Sequence, residues 1–212
     1  MNARSRTTVA VAAIAAALVV ASGIALLQAY AKDSPRAAAS AFGAAAIDLP
    51  SLAVTSLSQE GYAAIEGRTF DVTLEEWGHS TFVAAKRVDG RAEAAFFLMD
   101  DRGRIAYRFP KFHGNERGTL TGIRELAFED ADRDGLTDMI VIAESATTGA
   151  GEYEAKTFPI AGVYLRDGQS FRTLPMLDMQ LNETGQNVSI DVVLANVEAR
   201  LVRPFPSSNA EP

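Results

Sequence analysis

The stretch Asp130-Ala131-Asp132-Arg133-Asp134-Gly135-Leu136-Thr137-Asp138 places the tightest constraint on the fold, because its carboxylates repel one another unless the loop holds something between them. Two like charges about 4 Å apart repel by roughly 4 kcal/mol at an effective dielectric near ~20, a large part of a domain's net stability. The loop runs directly into Met139-Ile140-Val141-Ile142-Ala143, an apolar and β-branched run that predicts a strand. The carboxylates therefore belong at a strand edge, where the group they are suited to hold is Ca2+. Calcium takes about six to eight oxygens, and alternate positions of a tight loop turn their carboxylates inward. Asp130, Asp132 and Asp134 hold those positions, Leu136 offers its carbonyl, and Asp138 completes the shell directly or through water. Gly135 gives the backbone freedom for the sharp turn after the third ligand, and Arg133 is expected to face solvent. The competing reading is a solvated acidic turn without a specific ion. An EF-hand is excluded, since Val141 stands where its bidentate glutamate belongs and a strand pattern follows the loop.

Most of the remaining apolar pattern is also that of strands. Thr69-Phe70-Asp71-Val72-Thr73-Leu74 alternates with period two, and Thr81-Phe82-Val83-Ala84-Ala85-Lys86 lies between Gly78 and the Asp89-Gly90 turn. Ala94-Ala95-Phe96-Phe97-Leu98-Met99 and Arg104-Ile105-Ala106-Tyr107-Arg108-Phe109 form a predicted hairpin stopped by Pro110. A second hairpin turns at Asp167-Gly168, the strongest short hairpin signal in the chain. Helical spacing occurs at Ile190, Val193, Leu194, Val197 and Leu201, behind Ser189 as N-cap. The expected fold is mainly β (α+β), an antiparallel sheet or blade-like β domain with one C-terminal helix, over residues 51–203.

At the N-terminus, Arg4 and Arg6 precede an uncharged apolar run over about 7–27, then Ala29-Tyr30-Ala31. This pattern predicts a signal peptide over 1–31 cleaved before Lys32, although the run is long enough for an uncleaved membrane anchor. Either way the domain is expected outside the cytoplasm, periplasmic or extracellular. An Ala-rich tether is expected over 32–50 and a frayed tail over 204–212. The chain has no cysteine, which excludes disulfides, thiol catalysis and thiolate ligands. Loss of the leader removes two of 20 basic residues and none of the 27 acidic ones, moving the formal charge from −7 to −9 and arguing against nucleic-acid binding.

Signals for catalysis are sparse. His79 and His113 are the only histidines, and neither lies in a paired metal-ligand or recognised nucleophile motif. Glu75-Glu76-Trp77-Gly78-His79 offers a tryptophan beside acids, which suits a sugar-binding groove or, alternatively, an acid/base or metal-dependent hydrolase of an envelope polymer using Glu75, Glu76 or His79. The simpler role for Trp77 is packing. The loop around His113 suits an exposed contact, and an insertion over 145–156 presents Tyr153 to a partner or serves as a plain surface loop. Trp77, His79, His113 and Tyr153 are thus the speculative binding residues, and no catalytic residue is assigned.

The acidic loop resembles the calcium loop of FG-GAP repeats, the integrin-α-type propeller blade, and of the related VCBS repeats. Val163-Tyr164-Leu165-Arg166-Asp167-Gly168-Gln169-Ser170-Phe171 is similar to the strand, Asn/Asp-Gly turn and aromatic residue that follow in those repeats. The resemblance covers roughly 124–171 in a single copy. It implies Asp130, Asp132, Asp134, Leu136 and Asp138 as calcium ligands in one blade-like unit, since a full propeller closes with at least about four blades. The functional expectation is an exported, non-catalytic, calcium-stabilised binding module with a protein or glycan partner in the envelope or outside the cell.

Overall fold

Two antiparallel meanders of four strands follow one another along the chain. The computed structural model describes residues 46–90, 93–147, 156–183, 185 and 187–202. The expected leader, most of the tether, Tyr153 and the tail lie outside the described residues. Helix α1 (Ser51–Gln59) precedes β1 (Tyr62–Leu74), β2 (Gly78–Arg87), β3 (Ala94–Met99) and β4 (Ile105–Arg108), which form the first sheet in sequence order. A 3-10 turn (His113–Glu116) leads to β5 (Thr119–Glu129), β6 (Asp138–Ala146), β7 (Thr157–Asp167) and β8 (Ser170–Thr173), the second sheet, again in sequence order. Helices α2 (Pro175–Glu183) and α3 (Ile190–Leu201) follow.

The layers follow from period-two alternation, which sends successive side chains to opposite faces. Phe82 and Ala84 of β2 enter a core shared with Phe128, Met139 and Val141 of the second sheet, while Val83 and Ala85 face the other way against Ala53 and Leu57 of α1. In β6, Met139 and Val141 face the shared core and Ile140 and Ile142 meet Leu177, Leu181, Val193 and Val197 of the two C-terminal helices. A strand covered on both faces has no polar side to show, which is why 139–143 is a continuous apolar run.

The mainly antiparallel β character and the C-terminal helix agree with the sequence, but the described residues hold three α-helices instead of one. α1 starts at Pro50 with no side-chain cap, and its buried face is only Ala53 and Leu57. α2 is a single short span of nine residues. For α3 the expected cap is present, Ser189 Oγ accepting from Val192 N at 3.5 Å. Strand β5 is also absent from the sequence reading. Its pairing with β6 shifts register between Leu120 and Gly122 and between Ile123 and Glu125, and each bulge breaks the alternation that identifies a strand.

Both sheets close a short edge in the same way. β4 reaches only the far end of β3, and Asn115 then takes the place of a strand: its Oδ1 accepts from Ala94 N at 2.8 Å and its Nδ2 donates to Ala94 O at 2.9 Å. β8 likewise pairs only with 164–167 of β7, and Asn182 Oδ1 accepts from Ala161 N at 2.9 Å while its Nδ2 donates to Ala161 O at 2.8 Å. Each asparagine lies 21 residues beyond its alanine. Asp178, one helical turn before Asn182, accepts from Val163 N at 3.2 Å and extends the second clasp. Such coverage satisfies backbone groups that an edge strand otherwise leaves open.

Asn182→Ala is expected to cost about 2 kcal/mol in urea unfolding, because it leaves a part-buried N–H and C=O of β7 without partners. Burial pushes the Asp178 carboxyl up to about 6, so the folded chain holds its proton more tightly than the unfolded one. The stability this confers is complete below about pH 4 and is lost as the pH rises through about 6, on the order of 3 kcal/mol in all. Asp178→Asn should remove that slope from the stability profile between pH 4 and 7, measured against wild type by denaturant melts.

Candidate metal centre

The acidic loop is the connection from β5 to β6, and its end is fixed by the strand pairing of Asp138 with Glu129. Asp138 is fully buried. Its Oδ2 accepts from Ala131 N at 2.8 Å and its Oδ1 from Arg166 N at 2.7 Å, so one carboxylate joins the start of the loop, the first residue of β6 and the end of β7. The other aspartates fold the loop on itself through successive side-chain turns. Asp130 accepts from Asp134 N at 3.1 Å and from Gly135 N at 3.0 Å, Asp132 from Asp134 N at 3.3 Å, and Asp134 from Leu136 N at 2.8 Å. Gly135 has φ +89°, the conformation expected of it, and Arg133 also enters the left-handed region at φ +63°.

One carboxylate oxygen from each of Asp130, Asp132 and Asp138 lies within 4.8 Å of the others. This spacing suits a shared cation, and the all-oxygen donor set suits a hard one. Asp134, expected as the third ligand, is outside that group, with its carboxylate turned to the Leu136 N–H. Arg133 remains largely exposed and pairs with Glu198 of α3 at 2.9 Å. Burial pushes Asp138 up to about 7 against the pull of its two N–H donors, with Asp132 and Asp134 adding repulsion. Asp132 is likewise raised, by burial first and then by Asp134. The cluster thus carries an electrostatic cost that a divalent cation would offset.

Among the described residues, Trp77, His79 and His113 have separate neighbours. Trp77 stacks on Phe171 with ring centres 5.6 Å apart and packs against Tyr107 at 5.1 Å, while the Arg166 guanidinium lies 5.5 Å from its ring centre. A ring so occupied is a packing element rather than a sugar platform. His79 is exposed, 3.9 Å from Asp71, and His113 lies 3.7 Å from Glu116 on the 3-10 turn. Glu75 approaches Arg166 at 3.9 Å, and Glu76 accepts from Gln169 at 3.4 Å, so Glu75, Glu76 and His79 each go to a different partner. A cavity of about 270 Å³ beside Tyr62, Arg108 and Lys111 contains none of these residues, and its cations are engaged with Tyr62 Oη and Glu116. Asn182 and Asn187, which open the sequences Asn182-Glu183-Thr184 and Asn187-Val188-Ser189, use their side chains structurally: Asn182 Nδ2 and Asn187 Nδ2 each donate to backbone carbonyls.

Arg166 was not marked out by the sequence reading, yet its side chain is 1% exposed. Its signal is present in the chain, a charged residue in the apolar run of β7 at the parity of Tyr164, whose side chain lies in the shared core.

In chelator, Asp138→Ala is expected to lower stability by about 2 kcal/mol because it strips two buried N–H donors of their acceptor. Asp132→Asn under the same conditions should leave stability unchanged or raise it, since it removes a charge that burial and its neighbours oppose. Paired thermal melts distinguish the two roles.

No protein-family model matches the chain, and comparisons with curated proteins and with solved structures likewise return no match.

Proposed function

We propose that this chain is a non-catalytic, calcium-stabilised binding module of the cell envelope or the extracellular space. The observation that carries the reading is the convergence of oxygens from Asp130, Asp132 and Asp138 within 4.8 Å, in a loop between two strands. Three carboxylates held this closely, one of them buried, supply part of the oxygen shell that a hard divalent cation takes. The second sheet is in this reading a blade-like unit of the FG-GAP or VCBS kind. Support comes from its four-stranded meander, with the acidic loop between the first and second strands and an Asp-Gly turn between the last two. The ion acts as a staple, with Asp130, Asp132 and Asp138 as its carboxylate ligands.

Export rests on the N-terminal sequence pattern. Among the described residues no helix is long and apolar enough to cross a membrane. The partner is a protein or glycan met by exposed loops, since the only tryptophan is used in packing. The hydrolase alternative requires Glu75, Glu76 and His79 to share a pocket, and their contacts are instead with Arg166, Gln169 and Asp71 respectively.

Calorimetric titration of the purified protein with calcium is the test. One saturable site is expected, lost in Asp132→Ala, and calcium at a hundred times Kd should add about 2.7 kcal/mol to stability. Absence of binding heat with an unchanged melting temperature would reduce the loop to an acidic turn.

A further inference from the structure

The first sheet leaves an opening where β4 stops. Arg108, its last residue, stands opposite Phe97 of β3, and Phe109 N still bonds to Phe96 O at 3.0 Å. Pro110 then has no N–H to offer the ladder, and the chain turns away toward the 3-10 turn, where Asn115 clasps Ala94. Between departure and return lies the cavity of about 270 Å³, lined by Tyr62, Glu93, Ala95, Arg108, Pro110 and Lys111 among others. On this outer face α1 packs with Phe97 and Met99, while Ala95, two residues earlier at the same parity, is only partly buried.

Arg108 is oriented by the fold itself. Its guanidinium lies 5.2 Å from the Tyr62 ring centre and 5.7 Å from that of Phe97, and Nη2 donates to Tyr62 Oη at 2.7 Å. Among the described residues Nη1 meets Glu60 Oε2 at 3.6 Å, in a half-exposed pair too long for a charge-assisted hydrogen bond. Tyr62 Oη also accepts from Arg87 Nη1 at 3.5 Å, so both its lone pairs are engaged and its own hydrogen remains to donate. Lys111 Nζ bonds to the exposed Glu116 at 3.1 Å and has further hydrogens to give. Glu93 is the one acid among the lining residues.

We propose that this cavity binds a small organic carboxylate. The carboxylate sits on Arg108 Nη1, the Tyr62 hydroxyl and Lys111, and a hydroxyl or ammonium group of the same molecule donates to Glu93. A guanidinium held in a fixed plane is suited to carboxylate geometry, and its prior orientation lowers the entropic cost of binding. The volume lies below that of pockets for drug-sized ligands, which limits the occupant to a single sugar acid or amino acid. Glu60 is the internal competitor, released to solvent when the ligand takes Nη1. The inference is independent of the acidic loop.

The test is calorimetric titration of the purified protein, in chelator and at fixed ionic strength, with glucuronate and with free alanine. One saturable site is expected for at least one of the two, and the one that binds identifies the donor Glu93 accepts, hydroxyl or ammonium. Lys111→Gln, an exposed substitution, should weaken binding about tenfold. Glu60→Gln should tighten it about threefold by removing the competitor. Both variants should melt as wild type does, so that a change in affinity is read on a folded chain. Absence of saturable heat with both probes, equal binding of neutral glucose or of inorganic phosphate, or wild-type affinity in either variant overturns the proposal.

Discussion

The aromatic layer between the two sheets is the contact on which the rest of the molecule depends. Phe82, fully buried, meets the rings of Phe70, Phe96, Phe109 and Phe128 at centre distances between 5.0 and 6.1 Å. Phe128 is from the second sheet, and Tyr164 closes on Phe96 and Phe109 from the same side. Burial of this many rings is the main apolar gain in the fold, and offset or edge-on pairs add to it. Because the inner face of each sheet is used in this layer, the outer faces need separate cover. One helix supplies it on the first sheet and two on the second, giving helix, sheet, sheet and helix pair in succession. A helix on each outer face occupies the surface on which a third sheet would stack, so the described residues hold a closed pair of sheets rather than a run of them.

Asp138 has two duties that pull in opposite directions. As an acceptor for Ala131 N and Arg166 N it is a structural element, a side chain replacing backbone acceptors where the loop leaves the sheet. As a buried carboxylate beside Asp130 and Asp132 it concentrates charge where water is excluded. A cation bound there would reconcile the duties, since it would stabilise the ionised form that accepts best.

Much of this architecture was legible because local chemistry and global position agree. The 94–109 and 161–174 hairpins, the strand behind the acidic loop and the Ser189-capped helix each announce themselves through turn residues, period or cap. The spacing of Asp130, Asp132, Asp134, Leu136 and Asp138 points to a common centre, and carboxylate oxygens of Asp130, Asp132 and Asp138 lie within 4.8 Å of one another. What escaped had a weak local signal overridden by packing. β5 is interrupted by two bulges, α1 lacks a side-chain cap, and Asn115 and Asn182 look like loop residues until an unpaired strand edge lies beside them. Asp134 fits the ligand spacing, but its carboxylate forms a local turn with Leu136 N, a choice among neighbours that spacing does not settle. Arg166 was hidden for another reason: its importance lies in contacts with residues 28 and 91 positions away.

The matching asparagine clasps have one more consequence. Both meanders clasp their third strand with an asparagine 21 residues beyond the alanine it holds, but they differ between the first and second strands, where one has the short turn at Glu75, Glu76 and Trp77 and the other the acidic loop. The first meander thus joins its opening pair of strands without a run of aspartates, whereas in the second the loop is tied into the sheet through Asp138, which accepts from Ala131 N and Arg166 N.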